Sequence, residues 1–262
     1  MKKRTFIIIT LVTLALVALF TLNVFAVTAK EYSWYCVRKK DHLQPRCDAN
    51  VAFIEDLGGY YVDKRHGDSC DDKVIYLTFD AGYENGNVSK ILDVLKDKNV
   101  PGAFFVLGNL IEKNPDLILR MFNEGHLVCN HTYRHDPMTG KSPEEIDAEL
   151  SKLEQTCLDF TGHELSKYYR PPEGKFTEET LKAVNDLGYK TIFWSFAYAD
   201  WDNNAQPSEV SAIKKILDNT HNGEIMLLHP TSNTNAKILG QIIDTLIGEG
   251  YRFGTLDELS VT

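Results

Sequence analysis

Val74-Ile75-Tyr76-Leu77-Thr78-Phe79-Asp80-Ala81-Gly82 is an apolar and β-branched run that stops at an aspartate and a glycine. Shortly after it, Val88, Ile91, Leu92 and Leu95 repeat at i, i+3, i+4, i+7, the spacing of one helix face. A strand that ends in a polar turn and gives way to an amphipathic helix is one β–α unit. The alternation continues along the chain. Further strand-like runs cover 103–107, 127–130, 168–170, 190–194, 225–228 and 251–254. Helix signals lie between them: Asn114-Pro115, the capping set Ser142-Pro143-Glu144-Glu145, Thr177-Glu178-Glu179, and the stripe Leu239, Ile242, Ile243, Leu246. Alternating strands and helices without sequence repeats predict an α/β fold of parallel strands joined by crossovers. Seven such units fit a barrel, complete or incomplete.

Upstream, residues 30–72 are polar and irregular, read as a stalk or an extension packed on the domain that starts at residue 73. Before them, Lys2, Lys3 and Arg4 precede an uncharged stretch from Thr5 to Ala29. A basic end followed by an apolar run is the pattern of export. It reads either as a signal peptide cut after Ala26 or Ala29, or as a retained membrane anchor, since about 20 apolar residues span a bilayer. Both readings put residues 30–262 outside the cytoplasmic membrane, secreted or anchored to its outer face.

The whole chain of 262 residues has 28 basic and 37 acidic residues, a net charge of −9. That balance, without a basic block in the main body, excludes nucleic acid as the main partner. With 43% hydrophobic residues there is material for a core, which excludes a disordered chain. The five cysteines follow no metal-ligand spacing. Cys36, Cys47 and Cys70, in the polar segment, are candidates for pairing in an oxidising compartment, whereas Cys129 and Cys157 sit on apolar patterns and read as buried thiols.

The reactive residues follow the strand runs. Asp80 follows the first, His131 and His135 the third, Arg170 ends the fourth, Asp200 comes a few residues after the fifth, and His229 ends the sixth. In parallel α/β barrels the carboxyl ends of the strands carry the chemistry. Taken singly, each has a plain structural explanation: Asp80 caps a turn, His131 and His135 bond to loop backbone, Arg170 pairs with a surface carboxylate, Asp200-Trp201 is a turn, and His229 is a satisfied core histidine. Their joint placement favours function. A histidine pair that can hold a metal, a carboxylate base beside an arginine, and a histidine with an acidic partner are what metal-assisted hydrolysis of an amide or ester requires.

At these residues the sequence resembles the polysaccharide deacetylases of carbohydrate esterase family four, the nodulation-protein homology domain. The likeness spans about 73–259 and rests on five motifs in order: Thr78-Phe79-Asp80-Ala81-Gly82, His131-Thr132-Tyr133-Arg134-His135, Arg170-Pro171-Pro172-Glu173-Gly174-Lys175-Phe176, Asp200-Trp201 and Leu227-Leu228-His229. The resemblance implies a deformed (β/α) barrel of about seven parallel strands. It implies Asp80 as general base, His229 as catalytic acid, Arg170 orienting Asp80, Asp200 tuning His229, and His131 and His135 holding a divalent metal, zinc or cobalt. Tyr83, Pro172, Trp194, Tyr198, Trp201 and Leu227 are the implied substrate contacts.

One departure stands out. Ala81 replaces the family's second aspartate, a third metal ligand, so the metal is expected to be held more weakly. Gly82-Tyr83-Glu84-Asn85-Gly86 and Phe193-Trp194-Ser195 look like the branch of delta-lactam-forming muramic acid de-N-acetylases of Gram-positive spore-formers. The leading expectation is therefore removal of N-acetyl groups from muramic acid in peptidoglycan, by a monomer, in a sporulation setting. The rivals are N-acetylglucosamine in peptidoglycan or chitin-like polymers as substrate, and a catalytically silent glycan-binding module.

Overall fold

The structure, a computed structural model, describes residues 29–259. The expected export segment lies outside the described residues, and no helix among the described residues is long and apolar enough to cross a membrane. Residues 31–259 form one compact unit.

Twelve strands are numbered in chain order: β1 Tyr32–Ser33, β2 Cys36–Val37, β3 Arg46–Cys47, β4 Gly59–Tyr60, β5 Lys73–Ala81, β6 Ala103–Val106, β7 Leu127–Asn130, β8 Ser166–Tyr169, β9 Lys175–Phe176, β10 Lys190–Ile192, β11 Glu224–Leu228 and β12 Tyr251–Phe253. All seven strands expected from the sequence are present. They lie in one eight-stranded sheet of order β11-β5-β6-β7-β8-β10-β4, with β12 also paired to β5. Every pairing in it is parallel. The eighth strand is β4, two residues of the N-terminal segment whose ladder partner, not its composition, makes it a strand.

Beyond β10 the chain comes back against β11, where Ser195 N–H bonds to Ile225 O and Leu227 N–H to Phe196 O. The sheet thus curls into a half-barrel, with this short contact bringing the stretch after β10 against β11.

Alternate residues of β5 explain the layering. Ile75, Leu77, Phe79 and Ala81 face an outer core shared with the helices Val88–Lys98 and Asn233–Gly248, contributing such residues as Leu92 and Ile242. Val74 and Tyr76 face an inner core with Phe105, Ile192 and Ile225. Thr78 and Asp80 continue that inner row towards the carboxyl end, so the concave side of the sheet is apolar at its base and polar at its mouth. Cys129 and Cys157 are buried, as expected. Cys36 and Cys47 face each other across the β2–β3 ladder as free thiols.

Candidate active site

Asp80 is the penultimate residue of β5, and its carboxylate is met by the wholly buried guanidinium of Arg170, Nη1 to Oδ1 at 2.8 Å. A buried cation must be paired and hydrogen-bonded. Arg170 satisfies this by also donating to Ile192 O at 3.0 Å, Thr78 Oγ1 at 2.8 Å and Phe193 O at 3.3 Å, with its plane over the Phe105 ring. Burial alone works against the charge on Asp80. The Arg170 guanidinium, then His131 and His229, outweigh it and hold the carboxyl below the usual carboxylate range.

The two histidines after β7 are brought together by a strained loop. Thr132 and His135 have φ of 71° and 65°, a left-handed conformation costly for a β-branched residue. Local bonds hold it: Thr132 N–H donates to Asn130 Oδ1, and His135 N–H donates to Thr132 Oγ1, each at 2.9 Å. As a result the imidazoles of His131 and His135 lie with ring centroids 4.8 Å apart. Burial pushes His131 down to about 4, so it is neutral at pH 7. Its Nδ1–H donates to Arg170 O at 2.8 Å, which turns Nε2 towards Asp80 Oδ2, 3.5 Å away. A neutral imidazole oriented through its other nitrogen is the form that ligates a metal.

No third ligand joins them. Among the described residues no group of three His, Cys, Asp or Glu is arranged to hold an ion. Ala81 is buried in the outer core and does not reach the cavity. The two imidazoles are the donors that would hold a cation here.

His229 lies opposite. Asp200 accepts from its Nδ1 at 2.7 Å and from its backbone N–H at 2.8 Å. Burial opposes protonation of His229, but the bond to Asp200 and its charge, with Asp80 beyond, raise it above the ordinary 6.5. Asp200 is itself fixed by Asn235, whose Nδ2 donates to Oδ2 at 2.6 Å and to His229 O at 3.2 Å. Tyr198 donates its hydroxyl to Asn235 Oδ1.

One cavity of about 630 Å³ joins these groups. Asp80, His131, His135 and His229 line it, as do Tyr83, Trp194, Tyr198, Trp201 and Leu227 of the expected substrate contacts. Arg170 and Asp200 are buried directly behind. Pro172 differs from expectation: it is buried and does not line the cavity, because Glu173, at φ 57°, turns the chain so that Glu173 and Gly174 face it. Gly174 at φ +66° is required there, since a Cβ would fall 2.8 Å from the Trp194 ring. Glu173, Gly174 and Asn235 are site residues that motif reading did not single out. The first two lie inside a quoted motif, whereas Asn235 has no local signal at all. Trp201 is 59% exposed, an indole standing at the rim with its ring 6.0 Å from that of His229.

A polysaccharide deacetylase family model matches residues 67–192. The peptidoglycan-N-acetylmuramic acid deacetylase PdaA of Bacillus subtilis is 38% identical, over 89% of this chain and 88% of that protein. Its solved structure, described as a family 4 carbohydrate esterase, superposes with a TM-score of 0.82 over 88% of this chain and 97% of that one. The peptidoglycan-N-acetylglucosamine deacetylase PgdA of Listeria monocytogenes is 35% identical over 71% of this chain but only 39% of its own length. A pseudoenzyme of the same esterase family from Bacillus anthracis is 28% identical, with a TM-score of 0.66 over 72% of this chain and 65% of its own.

Proposed function

The chain belongs to the polysaccharide deacetylase family, and we propose that it hydrolyses N-acetyl groups of cell-wall glycan, with muramic acid of peptidoglycan as the sugar. The observation that carries this is the pair of oppositely tuned groups across one cavity: Asp80 held ionised by Arg170, and His229 shifted towards its protonated form by Asp200. An amide hydrolase needs a base and an acid on opposite sides of the reacting carbonyl. The named activity of the relative matched over most of both chains supports muramic acid as the sugar. A wall substrate also fits an extracytoplasmic location.

In this reading Asp80 Oδ2 takes a proton from the attacking water. The oxygen adds to the acetyl carbonyl and the tetrahedral intermediate carries the negative charge. His229, with Nδ1 committed to Asp200, presents Nε2–H to the leaving nitrogen. Proton transfer there breaks the C–N bond, leaving acetate and a free amine. Trp194, Tyr198 and Trp201 offer ring faces to the sugar. His131 and His135 would hold a zinc- or cobalt-like cation, which supplies polarisation of the carbonyl and lowers the pKa of water. With two protein donors that ion is held less tightly than with three. Incubation with a chelator is expected to abolish acetate release, and added Zn²⁺ or Co²⁺ to restore it; a rate untouched by chelator refutes the metal assignment.

The pKa directions fix the pH profile. Activity needs Asp80 unprotonated and His229 protonated. The rate should therefore hold through the mildly acid range, fall as His131 takes a proton towards its value of about 4, and decline on an alkaline limb lying above 6.5. A rate that rises through pH 8 without a fall would mean that neutral His229 is the working form.

A further inference from the structure

The match to the family model begins at residue 67, yet an earlier segment of the chain holds the wall of the cavity. Between β1 and the end of β2 the chain is extended, so Trp34, Cys36 and Arg38 present alternate side chains to one side. Each donates to a backbone carbonyl of the stretch that follows β10. Trp34 Nε1–H bonds to Trp194 O at 2.8 Å, Cys36 Sγ–H to Ser195 O at 3.3 Å, and Arg38 Nη2–H to Ala197 O at 2.6 Å. Trp194 and Ala197 line the cavity, as does Tyr198 next in sequence.

Trp34 reaches a second wall as well. Its backbone N–H donates to Gly174 O at 2.8 Å, and Gly174 packs against the Trp194 ring. One residue thus ties the turn carrying Glu173 and Gly174 to the stretch carrying Trp194. The ring of Trp34 is stacked on Phe193, with centroids 4.6 Å apart. Arg38 also lies over the Phe196 ring.

This stretch needs such support. The regular ladder of β10 ends at Ile192, and past it the β11 side engages Ser195 N–H, Phe196 N–H and Phe196 O. The carbonyls of Trp194, Ser195 and Ala197 are met not by a strand but by these three side chains.

We propose that Trp34, Cys36 and Arg38 are positioning residues that brace the sugar-facing wall of the cavity, which makes the N-terminal segment a working part of the substrate groove. The claim about substrate rests on the glycan reading above; the brace itself does not. Burial pushes the Cys36 thiol up to about 11, so it keeps its proton and serves as a donor at neutral pH.

The test uses the full chain with Trp34→Phe, Arg38→Ala, Cys36→Ala and Cys36→Ser. Trp34→Phe retains a ring on Phe193 and loses only the indole donor, and Arg38 is exposed, so both variants are expected to fold. Amide hydrogen exchange is read over 193–199 and, as an internal reference, over 225–228. Michaelis parameters are taken on an acetylated glycan.

In Trp34→Phe and Arg38→Ala, exchange over 193–199 should quicken while 225–228 stays as in the wild type. KM should rise about three- to tenfold, the factor one lost hydrogen bond commands, with kcat within about twofold. Cys36→Ala should shift in the same direction, and Cys36→Ser, which keeps a donor, should not. Unchanged exchange over 193–199 overturns the brace. Quickened exchange with unchanged KM overturns its role in substrate positioning. A wild-type protein that cleaves no acetylated glycan overturns the functional reading, and the exchange data then decide the brace alone.

Discussion

Asp80→Asn is expected to lower deacetylation by at least about a thousandfold while leaving glycan binding nearly unchanged. The amide keeps the size of the carboxylate but has no basicity, and its NH₂ cannot take a proton from water. General-base assistance contributes about 10²–10⁴ in rate, and here the same group also orients the water. Binding should survive because the rings proposed to meet the sugar are those of Trp194, Tyr198 and Trp201, whereas the Asp80 carboxylate is engaged by Arg170 and lies beside His131. A calorimetric titration with glycan oligomer, beside an acetate assay, separates the two quantities. Retained activity in Asp80→Asn would remove Asp80 as the base. Loss of binding together with activity would make its role mainly structural.

Arg170→Met should be the most damaging substitution for the fold and the site together. The guanidinium is fully buried and serves Asp80, Thr78 and two carbonyls at once. Its removal strands a buried carboxylate, and breaking such a pair costs about 3–5 kcal/mol. For a domain of this size that is a fall in Tm of about 10 °C. Asp80 also loses its main stabilising charge, so its pKa rises and the acid limb of the rate profile moves to higher pH. A variant with wild-type Tm and an unmoved acid limb would show that Arg170 does not hold Asp80 ionised.

Much of this was legible in the residues, for identifiable reasons. The strands β5, β6 and β11 carry apolar runs that burial on both faces explains. Ser142 with Glu145 forms the capping box that its spacing announces. Asp80 lies near the end of β5 and His131, His135 and His229 follow strands, and parallel pairing then brings them to one end of the sheet. Boundaries were less exact: the second expected strand ran one residue past Val106 and the fifth two past Ile192.

What stayed hidden depends on tertiary contact. Gly59–Tyr60 is a strand because β10 lies beside it, and nothing in two residues says so. Pro172 was expected at the groove, but the left-handed turn at Glu173 passes that place to Glu173 and Gly174. Asn235 reaches Asp200 from a helix that begins past the last motif, and Trp34 reaches Trp194 from 160 residues away in the chain. Such partners have no local pattern to read.

The most direct measurement of the central claim is mass spectrometry of purified peptidoglycan fragments after incubation with the full chain, Asp80→Asn serving as the control. The account predicts acetate in solution and muramic acid residues lighter by one acetyl group, with a further loss of water where the freed amine has closed a lactam, and none of these with the variant. Acetyl groups lost from N-acetylglucosamine alone would contradict the choice of sugar. Unchanged masses with every wall fragment, despite binding, would contradict the claim of catalysis and leave a glycan-binding module.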